Sequence, residues 1–293
     1  MVAIAFPYTD AYQLDRSKIM TECNAEFWDR VLKTCTELCD RVGDRLLQDF
    51  GTLQAVEKSD GSLVTAADQW SDAELRQGIQ SVFPDHGVLS EETIHIFPDT
   101  DWCWVIDPLD GTTNFTRGIP LWGISIGLLY QGTPVFGFVR MPTLRQSFYG
   151  YWAGDSGLAM PVGAFRDGVA IAVSSDNPSS NHFFNLCARS ISILNNPIPA
   201  KIRMLGISTY NLLTVAMGAA LGGVEATPKI WDIAAVWPIV HAAGGCWVAF
   251  EEKPLFPLTV GVNYADRSYP TLVVSQESVR AVFEPLVRAG LGR

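Results

Sequence analysis

Between residues 118 and 139 the chain carries no charged side chain. A run of that length either crosses a membrane or lies buried in a folded core. Its punctuation decides, because Gln131-Gly132-Thr133-Pro134 interrupts it with turn-forming residues. It therefore reads as two buried strands around a tight turn. Residues 204–224 and 233–250 are also uncharged apart from one histidine, and Gly or Pro breaks each of them. A soluble protein is expected, with no membrane partner. Residues 1–7 lack the basic segment and long apolar core of a secretory signal.

Further strands extend this hairpin. Residues 119–130, 134–141 and 146–152 read as a succession joined by short turns, after shorter strands at 87–90 and 102–106. Upstream, Phe27, Val31, Leu38, Val42 and Leu46 recur at helical spacing over 24–50, and Gly51 ends the helix. Ser59-Asp60-Gly61 signals a hairpin between 54–58 and 62–65, and 66–82 reads as a second helix stopping before Pro84. After a Gly-rich segment at 150–168 the pattern alternates: strand 169–173, helix 181–193, strand 202–205, helix 209–217, helix 230–243, strand 272–275 and a last helix to about 289. The reading is α+β with an antiparallel sheet for residues 1–154 and α/β for 155–293.

With 293 residues, 48% hydrophobic and 18% charged, the chain can fill one large domain or two packed subdomains. A net charge of −10 argues against nucleic acid as a partner. It also sets a condition: a protein this acidic that handles an anion needs bound cations or backbone amides to offset its own field. The six cysteines include no Cys-x-x-Cys pair and none clusters with the four histidines, so a zinc or disulfide framework is not expected and a reducing cytoplasm is.

The chemistry gathers at residues 104–115, WVIDPLDGTTNF, where an apolar strand runs into two carboxylates. By itself the segment could be an acidic turn, since Pro108 and Gly111 suit a tight reversal and Asp favours turns. Pro108 also biases Asp107 to an extended conformation, and the turn lets Asp107 and Asp110 share the strand's mouth. Oxygen donors select a hard cation such as Mg²⁺, and the Gly111 and Thr112 amides can hold a phosphate. Paired carboxylates recur in Leu89-Ser90-Glu91-Glu92, and Asp232 opens an apolar helix in Ile230-Trp231-Asp232, where it could equally be an N-cap.

Taken together, Val64-Thr65-Ala66-Ala67-Asp68, Ser90-Glu91-Glu92, the 104–115 segment, and Trp231-Asp232-Ile233-Ala234-Ala235 followed by Ala242-Ala243-Gly244-Gly245 resemble the inositol monophosphatase family, in its order and spacing. The resemblance implies a layered αβαβα sandwich of the inositol monophosphatase and fructose-1,6-bisphosphatase type. It also implies a homodimer and Mg²⁺-dependent, lithium-sensitive hydrolysis of a phosphomonoester, with two or three ions per site. Glu91, Asp107, Asp110, Asp232 and the Leu109 carbonyl would ligate metal. Glu91 and Thr112 would position the attacking water, Asp68 would support Thr112, and Asp110, Gly111 and Thr112 would meet the phosphate. Gly206, Ser208 and Glu225 would face the leaving group. No Lys or Arg lies within these motifs, so metals are expected to relieve the repulsion among the acids.

The resemblance points to inositol 1-phosphate as substrate. The 222–231 segment is short, and an acidic pocket there could face an ammonium instead, as in a histidinol-phosphate phosphatase. A catalytically silent relative acting as a binding partner is the non-enzyme alternative. No basic cluster is evident for a second phosphate. Two departures stand out: His241-Ala242-Ala243 replaces the acidic residue common in the family, a lone histidine read as structural, and Pro238 should kink the helix after Asp232.

Overall fold

The computed structural model describes residues 24–58, 63–193, 197–251 and 253–291. Helix α1 (Ala25–Asp49) starts where the Asn24 side chain accepts the Phe27 amide at 3.0 Å, and it buries Phe27, Val31, Leu38, Val42 and Leu46 along one stripe. Strands β1 (Val56–Glu57) and β2 (Leu63–Val64) pair antiparallel. The expected turn at Ser59-Asp60-Gly61 lies outside the described residues. Helix α2 (Ala66–Val82) opens with a reciprocal cap. The Thr65 hydroxyl accepts the Ala67 amide, and Asp68 accepts the Thr65 amide at 2.7 Å.

A seven-stranded sheet follows in sequence order: β3 (Gly87–Ser90), β4 (Trp102–Asp110), β5 (Gly123–Tyr130), β6 (Thr133–Met141), β7 (Gln146–Tyr151), β8 (Gly163–Arg166) and β9 (Val169–Ala170). Only β3 and β4 run parallel; the other neighbours are antiparallel. The short helix α3 (Thr112–Thr116) sits between β4 and β5. Alternation along β5 and β6 sends Ile124, Ile126, Leu128, Phe136 and Phe138 toward α1 and α2. The sheet continues to Ala170, past the expected division at 154.

The second sheet has the order β11 (Lys201–Arg203), β10 (Phe183–Leu186), β12 (Gly222–Glu225), β14 (Thr271–Val274), β13 (Cys246–Ala249). Its first three strands are parallel and its last two antiparallel to their neighbours. Between the sheets lie α4 (Ser208–Ala216), α5 (Ile230–Ala234) and α6 (Val236–Ala242). Helix α7 (Glu277–Leu291) covers the outer face, where Val279, Phe283 and Val287 meet Phe184, Leu272 and Val274. The order of layers is helices, sheet, helices, sheet, helix. That is the expected αβαβα sandwich. Among the described residues no helix is long and apolar enough to cross a membrane.

One contact fixes how closely the middle helices approach the first sheet. Gly127, Gly137 and Gly150 are direct cross-strand neighbours on β5, β6 and β7. A Cβ on Gly137 would lie 1.8 Å from the Ala235 carbonyl oxygen, and one on Gly150 2.8 Å from the Ile239 Cα. On Gly127 it would lie 2.8 Å from the Ala234 carbonyl carbon. The three glycines form a trough in which the backbone of α5 and α6 rests.

Several elements differ from the sequence expectation. Residues 181–193 hold strand β10 and a 3₁₀ segment (Ala188–Ile193) in place of one helix. Phe183 and Phe184 suit a strand, and β10 finds parallel partners on both sides that local spacing does not reveal. Strand β12 is not among the expected elements, because Gly222-Gly223 carries no strand-forming side chain. The expected strand 169–173 ends at Ala170, and 202–205 becomes Lys201–Arg203. The helix expected over 230–243 divides at Ala235 into α5 and α6. Pro238 has no N–H for the Ala234 carbonyl, so the break falls three residues before it.

Candidate active site

The end of β4 makes the core of the site. The Asp107 side chain accepts the Leu109 amide at 3.0 Å, which closes the Pro108 turn and leaves Asp107 and Asp110 on the same side. Gly111 follows with φ 87°, a left-handed conformation that a side chain would resist, and a Cβ there would lie 3.1 Å from the Leu121 carbonyl oxygen. From the other half of the chain, α5 brings Asp232, whose carboxylate accepts the Lys229 amide at 2.7 Å. Asp232 is therefore not the N-cap that the sequence allowed: Lys229 holds that position, and Asp232, in the first turn, accepts its amide while also standing in the cluster. Carboxylate oxygens of Asp107, Asp110 and Asp232 all lie within 4.8 Å of one another.

Like charges this close are hard to keep ionised. Burial pushes the Asp107 carboxyl well above its ordinary range, and the charges of Glu91, Asp110 and Asp232 push the same way. Asp232 is raised by burial, then by Asp110 and Glu91. Burial also raises Asp110, while hydrogen bonds from Thr209 and Ser208 pull it back. Those bonds are specific: Asp110 accepts the Thr209 amide at 2.8 Å, its hydroxyl at 2.6 Å and the Ser208 amide at 3.4 Å. The start of α4 is thus tied to the end of β4. A hard, oxygen-only donor set with an excess of buried negative charge fits a divalent cation such as Mg²⁺.

Thr112 sits at the first turn of α3. Its one hydroxyl proton has two inward acceptors, Asp68 Oδ1 at 3.1 Å and the Leu109 carbonyl at 3.0 Å. The oxygen lone pairs are left to accept from a water. Asp68 serves two structures at once, since its other oxygen accepts the Thr65 amide and hydroxyl at the cap of α2. Burial is the main influence that raises Asp68, against hydrogen bonds from Thr65 and Thr112.

Glu91 stands beside the carboxylate cluster but is turned to a cation. Lys58 Nζ lies 3.1 Å from Glu91 Oε1 and 2.7 Å from Glu92 Oε1. Burial pushes Glu91 up to about 7 against the pull of Lys58, and the Glu92 charge reinforces burial. Glu91 and Asp232 line one cavity of about 520 Å³. A second cavity, of about 360 Å³, is lined by Gly206, Ser208, Glu225 and Asp232. Asp232 lines both cavities, with Glu91 in the first and Gly206, Ser208 and Glu225 in the second, while Glu91 lies outside the group of three mutually close carboxylates. Glu225 is buried and accepts the Asn211 amide group at 2.7 Å, and burial drives its carboxyl well upward.

Residues 28–281 match the model of the inositol monophosphatase family. The chain belongs to that family. It is 33% identical over 228 residues to a histidinol-phosphatase of Chlorobaculum parvum, covering 73% of this chain and 84% of the relative. To an inositol-1-monophosphatase of Synechocystis it is 31% identical, with 76% and 80% covered. An inositol monophosphatase from Thermotoga maritima superposes with a TM-score of 0.72 at 27% identity, over 89% of this chain and 99% of that one. Family members are phosphoric monoester hydrolases acting on small phosphorylated compounds, and this chain is one of them.

Two parts of the inositol monophosphatase site were not foreseen from sequence. The expectation of no nearby cation fails at Lys58, which reaches Glu91 through space from the β1–β2 hairpin. No motif marks it. Asp72 is the other. It is fully buried, accepts the Thr93 hydroxyl at 2.9 Å and Arg76 Nε at 2.8 Å, and takes a short hydrogen bond from the Ser90 hydroxyl. Ser90 and Thr93 flank Glu91, so Asp72 clamps the segment that carries it. Its spacing from Asp68, one helical turn along α2, was the available signal. His241 stacks on Trp152 at 4.4 Å and lies 4.6 Å from Trp237. That packing agrees with a structural histidine.

Proposed function

We propose that this protein is a Mg²⁺-dependent phosphomonoesterase whose substrate is a small phosphorylated polyol, inositol 1-phosphate first, cleaved by direct attack of water. The observation that carries the reading is the meeting of Asp107, Asp110 and Asp232 beside the Gly111-Thr112 turn. Glu91, Asp107, Asp110, Asp232 and the Leu109 carbonyl would hold two or three Mg²⁺ ions. The ions would supply Lewis acidity and cancel negative charge on the phosphate and the leaving oxygen.

The chain's own groups do the rest. The Gly111 and Thr112 amides bind the phosphate without adding a mobile charge. The Thr112 oxygen accepts a hydrogen bond from one O–H of the attacking water, which orients a lone pair toward phosphorus. Glu91, beside the cluster, would take the other proton as the water attacks. Asp68 keeps the Thr112 proton turned inward. The water oxygen bonds to phosphorus as the bond from phosphorus to the ester oxygen breaks and that oxygen takes up a proton from solvent, so inorganic phosphate and the free alcohol are the products and no phosphoprotein forms.

For the alcohol, Glu225, Asn211, Ser208 and Thr227 present carboxyl, amide and hydroxyl groups to one cavity. Burial raises the Glu225 carboxyl, and with the amide of Asn211 and the hydroxyls of Ser208 and Thr227 it makes a lining of hydrogen-bonding groups that suits the hydroxyls of a polyol. The same proposal includes lithium sensitivity, a homodimer and a cytoplasmic setting. The five cysteines among the described residues are all free, which supports a reducing compartment.

Phosphate release from inositol 1-phosphate and histidinol phosphate, with and without Mg²⁺, tests the reading. Faster turnover of inositol 1-phosphate, dependent on Mg²⁺, is expected. The reverse order would replace the alcohol, and no release from either would sink the proposal. Asp107→Asn should lower kcat by about three orders of magnitude or more, since it removes one carboxylate that the cations require.

A further inference from the structure

A cavity of about 650 Å³, larger than either one beside the carboxylate cluster, opens at the far end of β4. Trp102 lines it at the start of that strand, and Asp110 ends the strand roughly 25 Å away at the rise of extended chain. Hydrolysis of a phosphate ester makes no use of it. Strands β3 and β4 run parallel with Gly87 beside Cys103, so the residues just before them, Asp85-His86 and Asp101-Trp102, come together there. Asp99 reaches the same cavity from the loop between the two strands.

The floor is aromatic. Phe83 stacks on His86 at 4.8 Å, and His86 on Trp102 at 5.7 Å. Trp104 Nε1 donates to His86 Nδ1 at 3.0 Å, while burial and then the nearby Arg30 charge lower the imidazole to about 4. The ring is neutral at pH 7 and does not repel a cation. The rim is acidic. Asp85, Asp99 and Asp101 are exposed, and among the described residues none of them forms an ion pair. Helix α2 ends here at Val82 with no basic residue in its last turn, so its dipole adds to the negative potential.

The chain itself shows what the floor accepts. Arg30 holds its guanidinium 5.2 Å from the centroid of the Phe83 ring, with no carboxylate partner among the described residues. Three carboxylates against that one guanidinium leave an excess of two negative charges. We propose that this cavity binds an aliphatic diamine, whose two ammonium groups meet the rim carboxylates while its methylene chain covers the aromatic floor. A single ammonium offsets only half of the excess charge, and an anion is repelled. The methylenes bury apolar surface against the rings, and the ammonium groups gain from the ring faces as Arg30 does. The site stands apart from the catalytic reading, because none of the candidate metal ligands lines it.

Calorimetric titration of the full chain tests it, with saturating Mg²⁺ and about 0.15 M salt to screen diffuse attraction. The probes are putrescine, butylamine and butanediol, which share a four-carbon chain and differ in charge. Putrescine should bind with one-to-one stoichiometry, about fivefold or more tighter than butylamine, the upper range of one added surface ion pair. Butanediol should give no binding. Asp85→Asn and Asp99→Asn should each weaken putrescine by about threefold, and together by about tenfold. Arg30→Gln should tighten it, because the excess negative charge grows; loss of a merely structural arginine would not. Asp266→Asn, on the rim of the cavity that holds Glu91, should leave it unchanged. All of these side chains are exposed, so folding is not at stake. Putrescine no tighter than butylamine, binding that survives the double substitution or falls equally with Asp266→Asn, or no binding at millimolar putrescine would each overturn the site.

Discussion

At the scale of single residues, the site works by giving each carboxylate a second task. Asp68 caps α2 and turns the Thr112 proton inward, Asp110 anchors α4, and Asp232 accepts the Lys229 amide in the first turn of α5. The cost of losing one of them therefore mixes stability with chemistry. Thr112 separates the two. Thr112→Val keeps shape and removes the water acceptor, so kcat should fall by roughly 10² or more with little change in thermal midpoint. Asp72 is argued as a positioning residue, because it grips Ser90 and Thr93 on either side of Glu91. Asp72→Ala should raise the Mg²⁺ concentration needed for half-maximal rate by about tenfold, the scale seen when supports of metal ligands are lost. Asp72→Asn, which keeps one acceptor, should recover part of it. A Mg²⁺ dependence identical to wild type in Asp72→Ala would count against that role.

At the scale of elements, legibility followed distance along the chain. The turn from Asp107 to Thr112 is local, so residue types, spacing and turn chemistry all spoke together, and the structure assembles it as read. Helices α1 and α2 were equally legible, the first from its apolar stripe and Gly51 and the second from its stop before Pro84. What failed was non-local. Strand β10 looked helical because its partners, β11 and β12, come later in the chain, and Lys58 carries no signal of the Glu91 it meets. The trough on the first sheet was invisible for the same reason, since Gly127, Gly137 and Gly150 align only after three strands pair. It makes a sharp prediction. In Gly137→Ala the new methyl meets backbone that cannot rotate away, so unfolding free energy should drop by about 3 kcal/mol or more in urea melts, and activity should fall as Asp232 shifts. A fully active, equally stable variant would mean the helix yields freely.

For the whole molecule, buried acids link metal, pH and stability. Without metal, a carboxyl raised in the fold, such as Glu91 near 7, contributes stability below the ordinary carboxylate range. That contribution is lost as pH climbs through the raised value. His86 and His241 are lowered to about 4 chiefly by burial, so they oppose this trend only below the usual histidine range. From about pH 6.5 to about pH 8 the carboxyls alone should decide, given the ordinary histidine value. The thermal midpoint of the metal-stripped protein should fall across that window, and the increase on adding Mg²⁺ should grow. A midpoint flat with pH would contradict the cluster's electrostatics. The trough carries a different consequence for how such chains exchange parts. The glycines come from residues 127–150 and the backbone they admit from 234–239, so a chimera joined between these segments inherits a lock from one parent and a key from the other. Crossovers there should survive only when both parents share glycine at all three sheet positions, however well their catalytic acids agree.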